Sequence, residues 1–64
     1  MKTPATEDYP EIEWEQHRLM DTDVDERSET WEVRGYDAAG NKYAGVADFT
    51  CGEMVDVNQI ETIL

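Results

Sequence analysis

The chain has few of the residues that build covalently linked or metal-held structure. It contains one cysteine, Cys51, and one histidine, His17, so one chain cannot form an internal disulfide or supply a structural zinc site. Cys51 lacks the electropositive surroundings that make a thiol reactive, and no nucleophile motif accompanies His17. The sequence therefore predicts a protein that is not an enzyme and needs no cofactor.

Long apolar runs and basic residues are also scarce. No stretch approaches the roughly 18 to 20 apolar residues of a membrane span, and no apolar segment follows the first residues as in a secretory signal. Five Lys and Arg stand against sixteen Asp and Glu, which gives a formal net charge of −11. This charge repels nucleic acid and anionic lipid, so we expect a soluble, cytoplasmic protein whose natural partner is a basic protein surface.

The strongest local signal lies in residues 30–50. Apolar and polar residues alternate along 30–37 and again along 42–50, which is the period of a half-buried strand. Between them, Asp37 to Asn41 has the composition of a turn, in which Gly40 can adopt a left-handed conformation. The sequence therefore predicts a β-hairpin here.

Residues 11–20, E-I-E-W-E-Q-H-R-L-M, are compatible with two structures. The alternation of glutamate with Ile12 and Trp14 favours a strand. A helix starting at Pro10 would place Ile12, Gln16 and Leu19 on one face, but it would leave Trp14 off that apolar stripe. We therefore predict a strand and keep the helix as the alternative.

The remaining segments complete the predicted fold. Residues 21–29 are so acidic that they predict a loop, Gly52 marks a second turn, and 53–57 predicts a further strand. Asn58 to Glu61 has the pattern of a helix-capping box, which predicts a helical turn with Ile60, Ile63 and Leu64 on one face. The expected fold is a mainly β antiparallel meander of three to four strands (11–20, 30–37, 42–50 and 53–57) with a short C-terminal helical turn. The alternative is an α+β fold with an N-terminal helix on a three-stranded sheet.

We expect one small domain over 10–64, preceded by a flexible segment, 1–9, that has little to bury. One face of the sheet would form the core, and a second copy of the chain or another partner would complete it, because a one-sided sheet of this size is not stable alone. The predicted core consists of Ile12, Trp14, Trp31, Val33, Tyr43, Ala47, Phe49 and Val55.

The acidic residues are the main functional candidates. Eleven of the sixteen lie between Glu7 and Glu32, and carboxylates at alternate strand positions lie about 6.6 to 6.8 Å apart, a spacing broadly comparable with that of phosphates along a DNA strand. Such an array can pair with the Lys and Arg side chains that otherwise bind DNA. The predicted partner-binding residues are Glu11, Glu13, Glu15, Asp21, Asp23, Asp25, Glu26 and Glu29.

In size and charge the chain resembles the small acidic inhibitors of host defence that phages and mobile elements encode, anti-CRISPR proteins among them. The resemblance implies inhibition of a nucleic-acid-binding protein by DNA mimicry. Solubility and adaptation to high salt also favour a high density of acidic residues, and both alternatives stay open. A further alternative is a small subunit that joins a larger assembly through its sheet edge.

A Ca²⁺-binding or structural module is the remaining alternative. Asp21, Asp23 and Asp25 have the D-x-D-x-D spacing of an EF-hand loop, and Glu32 stands at the twelfth place. The resemblance covers residues 21–32 only. It lacks the glycine of the sixth place, where Glu26 stands, and a strand pattern follows in place of a helix.

Overall fold

The chain folds into a single antiparallel sheet. The computed structural model describes residues 1–63, and the sheet order equals the sequence order. The strands are β1 (Lys2–Thr3), β2 (Ile12–Asp23), β3 (Ser28–Tyr36), β4 (Lys42–Thr50) and β5 (Glu53–Ile63). The predicted meander is confirmed, and 12–23 is a strand, so the helical alternative is wrong. Over residues 1–63 there is no helix with the length and apolar character that a membrane crossing requires.

The β3–β4 hairpin forms as the alternation predicts. Every second residue of β4 from Tyr43 to Phe49 is buried, and the residues between them are more exposed. In the connecting turn, Gly40 has a φ of 87°. One carboxylate oxygen of Asp37 accepts hydrogen bonds from the backbone N–H groups of Ala39 and Asn41, each at 2.9 Å. The hairpin thus follows from local sequence alone.

The core lies on one face of the sheet, and two glycines let its largest side chain lie flat against the strands. Trp14 is 1% exposed, and its ring lies against the backbone of Gly35 and Gly45. A Cβ atom at Gly35 would lie 2.7 Å from the Trp14 ring, which is closer than real contacts allow. The buried residues are Ile12, Trp14, Val33, Tyr43, Ala47 and Phe49, and Trp31 packs against them while partly exposed.

The N-terminal segment 1–9 lies across this core face. The Trp14 indole N–H donates to the Thr3 hydroxyl at 3.0 Å, and the Tyr9 hydroxyl donates to the Ile60 carbonyl at 3.0 Å. The Tyr9 ring also meets the Tyr43 ring edge-on, with centroids 6.2 Å apart. The segment therefore supplies part of the cover that the sequence analysis expected from a second copy or partner. Its flexibility stays a prediction.

The C-terminal helical turn predicted from the sequence is wrong, because β5 occupies these residues. The strand continues to Ile63, and Asn58 and Glu61 pair with β4 residues instead of forming a capping box. Pairing shifts where Gln59, with a φ of 52°, adds an extra residue, so Ile60 lies on the same face as Val57, three positions away. Ile63, which the prediction placed on the face of Ile60, lies instead opposite Lys42 on the outer face of the sheet. Leu64, part of the same prediction, lies outside the described residues.

Two further expectations are corrected. Residues 21–29 are not all loop, because β2 extends to Asp23 and β3 begins at Ser28, which leaves a turn of only four residues. Their acidity reflects an exposed hairpin end, where charged side chains need no burial. Val55 is not in the core: it is the unpaired residue of a second β5 irregularity, between Met54 and Asp56, and is 66% exposed.

Candidate functional site

The sheet face opposite the core carries most of the strand carboxylates. Cross-strand partners in an antiparallel sheet share a face, so the register gives the neighbours of each side chain. At the end of the sheet near the β2–β3 turn, one row runs across four strands as Asp21, Thr30, Asp48 and Asp56. The next row runs as Asp23, Ser28, Thr50 and Glu53. We call the five acids of these rows the acidic patch: Asp21, Asp23, Asp48, Glu53 and Asp56.

The acidic patch concentrates like charges. Asp48 and Asp56 are direct cross-strand partners, and neighbouring strands lie only about 4.7 to 4.9 Å apart. Like charges opposite each other destabilise a sheet. None of the ion pairs among residues 1–63 includes a member of the patch. The patch therefore presents its negative charge to solvent.

A mixed cluster centred on Glu32 occupies the same face farther along the strands. The Glu32 carboxylate pairs with Arg34 at 2.8 Å and with Arg18 at 3.1 Å. His17 lies 3.8 Å from the same carboxylate. Two of the five basic residues of the chain are thus engaged here, away from the acidic patch.

The eight predicted partner-binding residues lie in several places. Asp21 and Asp23 belong to the acidic patch, and Glu15 lies on the same face opposite Arg34. Three others have structural partners: Glu11 pairs with Lys2 at 3.3 Å, Glu13 pairs with the amino terminus at 3.1 Å, and Glu29 accepts the Trp31 indole N–H at 3.2 Å. The last two, Asp25 and Glu26, lie in the β2–β3 turn, where both backbone N–H groups donate to an Asp23 carboxylate oxygen.

The residues proposed for Ca²⁺ are spread over two strands and a turn. Asp21 lies opposite Thr30, Asp25 is in the turn, and Glu32 is opposite Arg18 and paired with two arginines. Across residues 1–63, no three Asp, Glu, His or Cys side chains are grouped as a metal ion would require. The aspartate spacing in sequence therefore does not become a converging set of ligands.

Asp37 is an acid of a different kind, because it is buried and fully hydrogen-bonded. Its second carboxylate oxygen accepts from the Asn41 amide at 3.0 Å and from the Tyr43 hydroxyl at 2.9 Å. The hydrogen bond from the Asn41 side chain is the main reason that the pKa of Asp37 lies below its ordinary value of 3.8. The same carboxylate raises the pKa of Tyr43 above 10.0. This acid holds the turn and is not part of the patch.

Sequence reasoning missed three members of the acidic patch: Asp48, Glu53 and Asp56. Asp48 stands between the buried Ala47 and Phe49, so the alternation did place it on the outer face. The alternation could not say that Asp56 lies beside it, because that neighbourhood depends on the β4–β5 register.

The fold and the patch define this chain as a small antiparallel β-sheet domain with one strongly acidic face. No protein-family model, no curated protein and no solved structure matches it.

Proposed function

We propose that this protein is a non-enzymatic acidic module that acts in the cytoplasm by binding a basic surface of another protein. In the specific form of the proposal, the acidic patch occupies the groove of a nucleic-acid-binding protein and inhibits it as a DNA mimic. The protein would then belong functionally with phage or mobile-element inhibitors of host defence, including anti-CRISPR proteins.

The observation that supports the proposal is the direct pairing of Asp48 with Asp56, in a row that continues through Thr30 to Asp21. None of the three acids has an ion pair among residues 1–63. A surface that served solubility alone would gain from interspersed cations, because directly opposed like charges weaken the sheet. Residues that weaken a fold without local compensation are typical of functional sites.

The mechanism would be competition for arginine and lysine side chains. Asp48 and Asp56 lie on neighbouring strands, whose backbones are about 4.8 Å apart, and Asp21 and Asp23 are alternate residues of one strand, whose Cα atoms are about 6.6 to 6.8 Å apart. These are separations of several ångströms, as between backbone phosphates, and a carboxylate can accept two parallel hydrogen bonds from one arginine. A partner whose cations neutralise phosphates would therefore find an alternative set of anions here.

The test is capture of partners from a cell lysate at low salt, elution in salt steps, and competition by duplex DNA. The patch variant Asp48→Asn/Asp56→Asn is compared with Glu7→Gln/Asp8→Asn, which removes the same charge from the exposed N-terminal segment. We expect one nucleic-acid-binding protein to elute at high salt from the wild type and to be displaced by DNA. Its affinity should fall by a factor on the order of ten in the patch variant only.

Equal loss in both variants would mean that net charge alone drives binding, and the proposed site would be wrong. Recovery of only generic basic proteins that DNA does not displace would contradict mimicry and leave solubility as the reason for the charge.

A second candidate function is that of a small subunit joined to an assembly through a sheet edge. The favouring observation is that β1 pairs only with Ile12 and Glu13, and Met1 bonds the backbone of Trp14, so the outer edge of β2 beyond Trp14 has no strand partner among the described residues. Unpaired edges recruit strands from other chains. In that case the salt dependence of binding would be weak, and apolar substitutions at the edge would matter more than changes of charge.

A further inference from the structure

A groove runs between the N-terminal segment and β5 on the core side of the sheet. Its volume is about 380 Å³. The hydrogen bond from Tyr9 to the Ile60 carbonyl fixes one part of the segment, and the bond between Trp14 and Thr3 fixes another, so the groove is a feature of the packed fold. The residues that line it are mostly apolar and include Pro4, Tyr9, Met54, Val55, Val57 and Ile60.

The groove lies on the core side of β5 and the acidic patch lies on the opposite face of the sheet, so the two are separated only by this edge strand. Asp56 lines the groove and is also the cross-strand partner of Asp48. Val55, the extra residue of the bulge, is 66% exposed on the groove wall. Glu53 lies on the same strand, two positions before Val55. A ligand that passes around the edge of β5 would therefore contact the apolar groove on one face and the carboxylates on the other.

The strand geometry and the charges narrow the choice of occupant. β5 is an edge strand of the sheet described for residues 1–63, but its pairing with β4 shifts twice, and bulged edges resist the addition of a full-length strand. A second copy of this chain would bring another formal charge of −11 to the patch. The complementary ligand is instead a basic segment that binds chiefly through its side chains.

We propose that the groove receives an apolar side chain from an extended, arginine- and lysine-rich segment of the protein partner, while the cations of that segment pair with Asp48, Glu53 and Asp56. This inference rests on the proposed function and adds to it the kind of segment recognised. The apolar anchor would give specificity that charge alone does not, because buried apolar contacts dominate binding hot spots, whereas exposed ion pairs contribute little.

Two synthetic peptides of equal charge test the proposal. One alternates arginine with leucine, the other alternates arginine with serine, and each is titrated into the isotopically labelled protein at low salt by NMR. We expect the leucine peptide to bind about tenfold more tightly, which corresponds to burial of one large apolar side chain. Its chemical-shift changes should concentrate in residues 4–9 and 53–60.

Two exposed valines provide a matched pair of variants. Val55→Ser should bring the affinity of the leucine peptide close to that of the serine peptide. Val24→Ser, in the β2–β3 turn and 82% exposed, should leave both affinities unchanged. Because both valines are exposed, neither substitution threatens the fold.

The outcomes separate the two proposals. Equal affinity for both peptides, with shifts confined to the acidic patch, would overturn the groove and leave the proposed function standing. Absence of binding by either peptide would count against both. An equal effect of the two valine variants would also overturn the groove.

Discussion

Replacing Gly35 by alanine should strongly destabilise the protein, because β3 passes directly beneath the core. A Cβ at this position would lie 2.6 Å from Cγ2 of Ile12, 2.7 Å from the Trp14 ring and 2.9 Å from the Glu13 carbonyl oxygen. The first two side chains are almost completely buried, and the third contact is with backbone, so no simple rotamer change relieves all three.

The magnitude follows from these contacts. Overpacking a core costs typically about 1 to 3 kcal/mol, and an unrelieved backbone contact points to the upper end. Alanine regains about 0.5 to 1 kcal/mol over glycine inside a strand, which leaves a net loss of about 2 to 2.5 kcal/mol. For 64 residues the free energy of unfolding is on the order of 3 to 10 kcal/mol, so the loss is a large share of it.

Gly45→Ala is the matched control, because Gly45 lies under the same tryptophan. Its added Cβ would lie 3.0 Å from Cγ1 of Val57, 3.3 Å from the Asn58 carbonyl oxygen and 3.4 Å from the Trp14 ring, so its backbone contact is 0.4 Å longer than the 2.9 Å contact at Gly35. Val57 is only partly buried and can shift, so we expect a change within about 1 kcal/mol. Both variants are measured by urea unfolding, followed by tryptophan fluorescence. If Gly35→Ala proved as stable as Gly45→Ala, the described packing of Trp14 against β3 would be wrong.

Three further predictions concern the turns and the patch. Asp37→Asn should make the free energy of unfolding less dependent on pH. The pKa of Asp37 is lower in the folded state than its unfolded value of about 3.8, so the ionised carboxylate stabilises the fold above that value. This stabilisation is lost as the pH falls through the lower, folded-state pKa. Acid titrations of unfolding for wild type and variant, compared by difference, test this, and parallel curves would refute it. Cys51 has a φ of 52° in a two-residue turn, a left-handed conformation that asparagine tolerates and a β-branched residue does not. Cys51→Asn should therefore stabilise the protein by about 0.5 to 1 kcal/mol, and Cys51→Val should destabilise it. Thermal melts that rank valine above asparagine would contradict this. Asp56→Asn should stabilise the protein by a few tenths of a kcal/mol to about 1 kcal/mol, because it removes the repulsion between Asp56 and Asp48. The gain should shrink in high salt, and urea unfolding at two salt concentrations measures it. A loss of stability would contradict the placement of the two carboxylates side by side.

Bulges account for where sequence reasoning succeeded and where it failed. In β3 and β4, whose mutual pairing is regular, the strict alternation gave the strands and the buried residues correctly, except that Trp31 is only partly buried. In β2 and β5 the pairing shifts, and the apolar spacing changes from two to three. This made 11–20 ambiguous between strand and helix. The helical turn predicted for 58–64 rested on the N-x-x-E pattern of Asn58 and Glu61, which the structure uses for pairing with β4. An extra residue in a strand cannot be distinguished from helical periodicity over so short a segment.

The acidic patch is a second feature that the sequence did not predict. The sequence contained the charges and placed Asp48 on the outer face, but our choice of residues favoured the N-terminal half, where acids are dense along the chain. Of the eight residues chosen, only Asp21 and Asp23 belong to the patch. Density along the chain differs from density on a surface, because four strands bring together residues that are far apart in sequence.

The sequence by itself determined the net charge, the two glycine-containing turns and the alternation of the central hairpin, since each depends on residues only a few positions apart. The tertiary structure alone decided that the N-terminal segment covers the core, that Asp48 lies beside Asp56, and that a groove opens next to them. These features depend on strand register and bulge position, which are set by packing around Trp14 across the whole sheet.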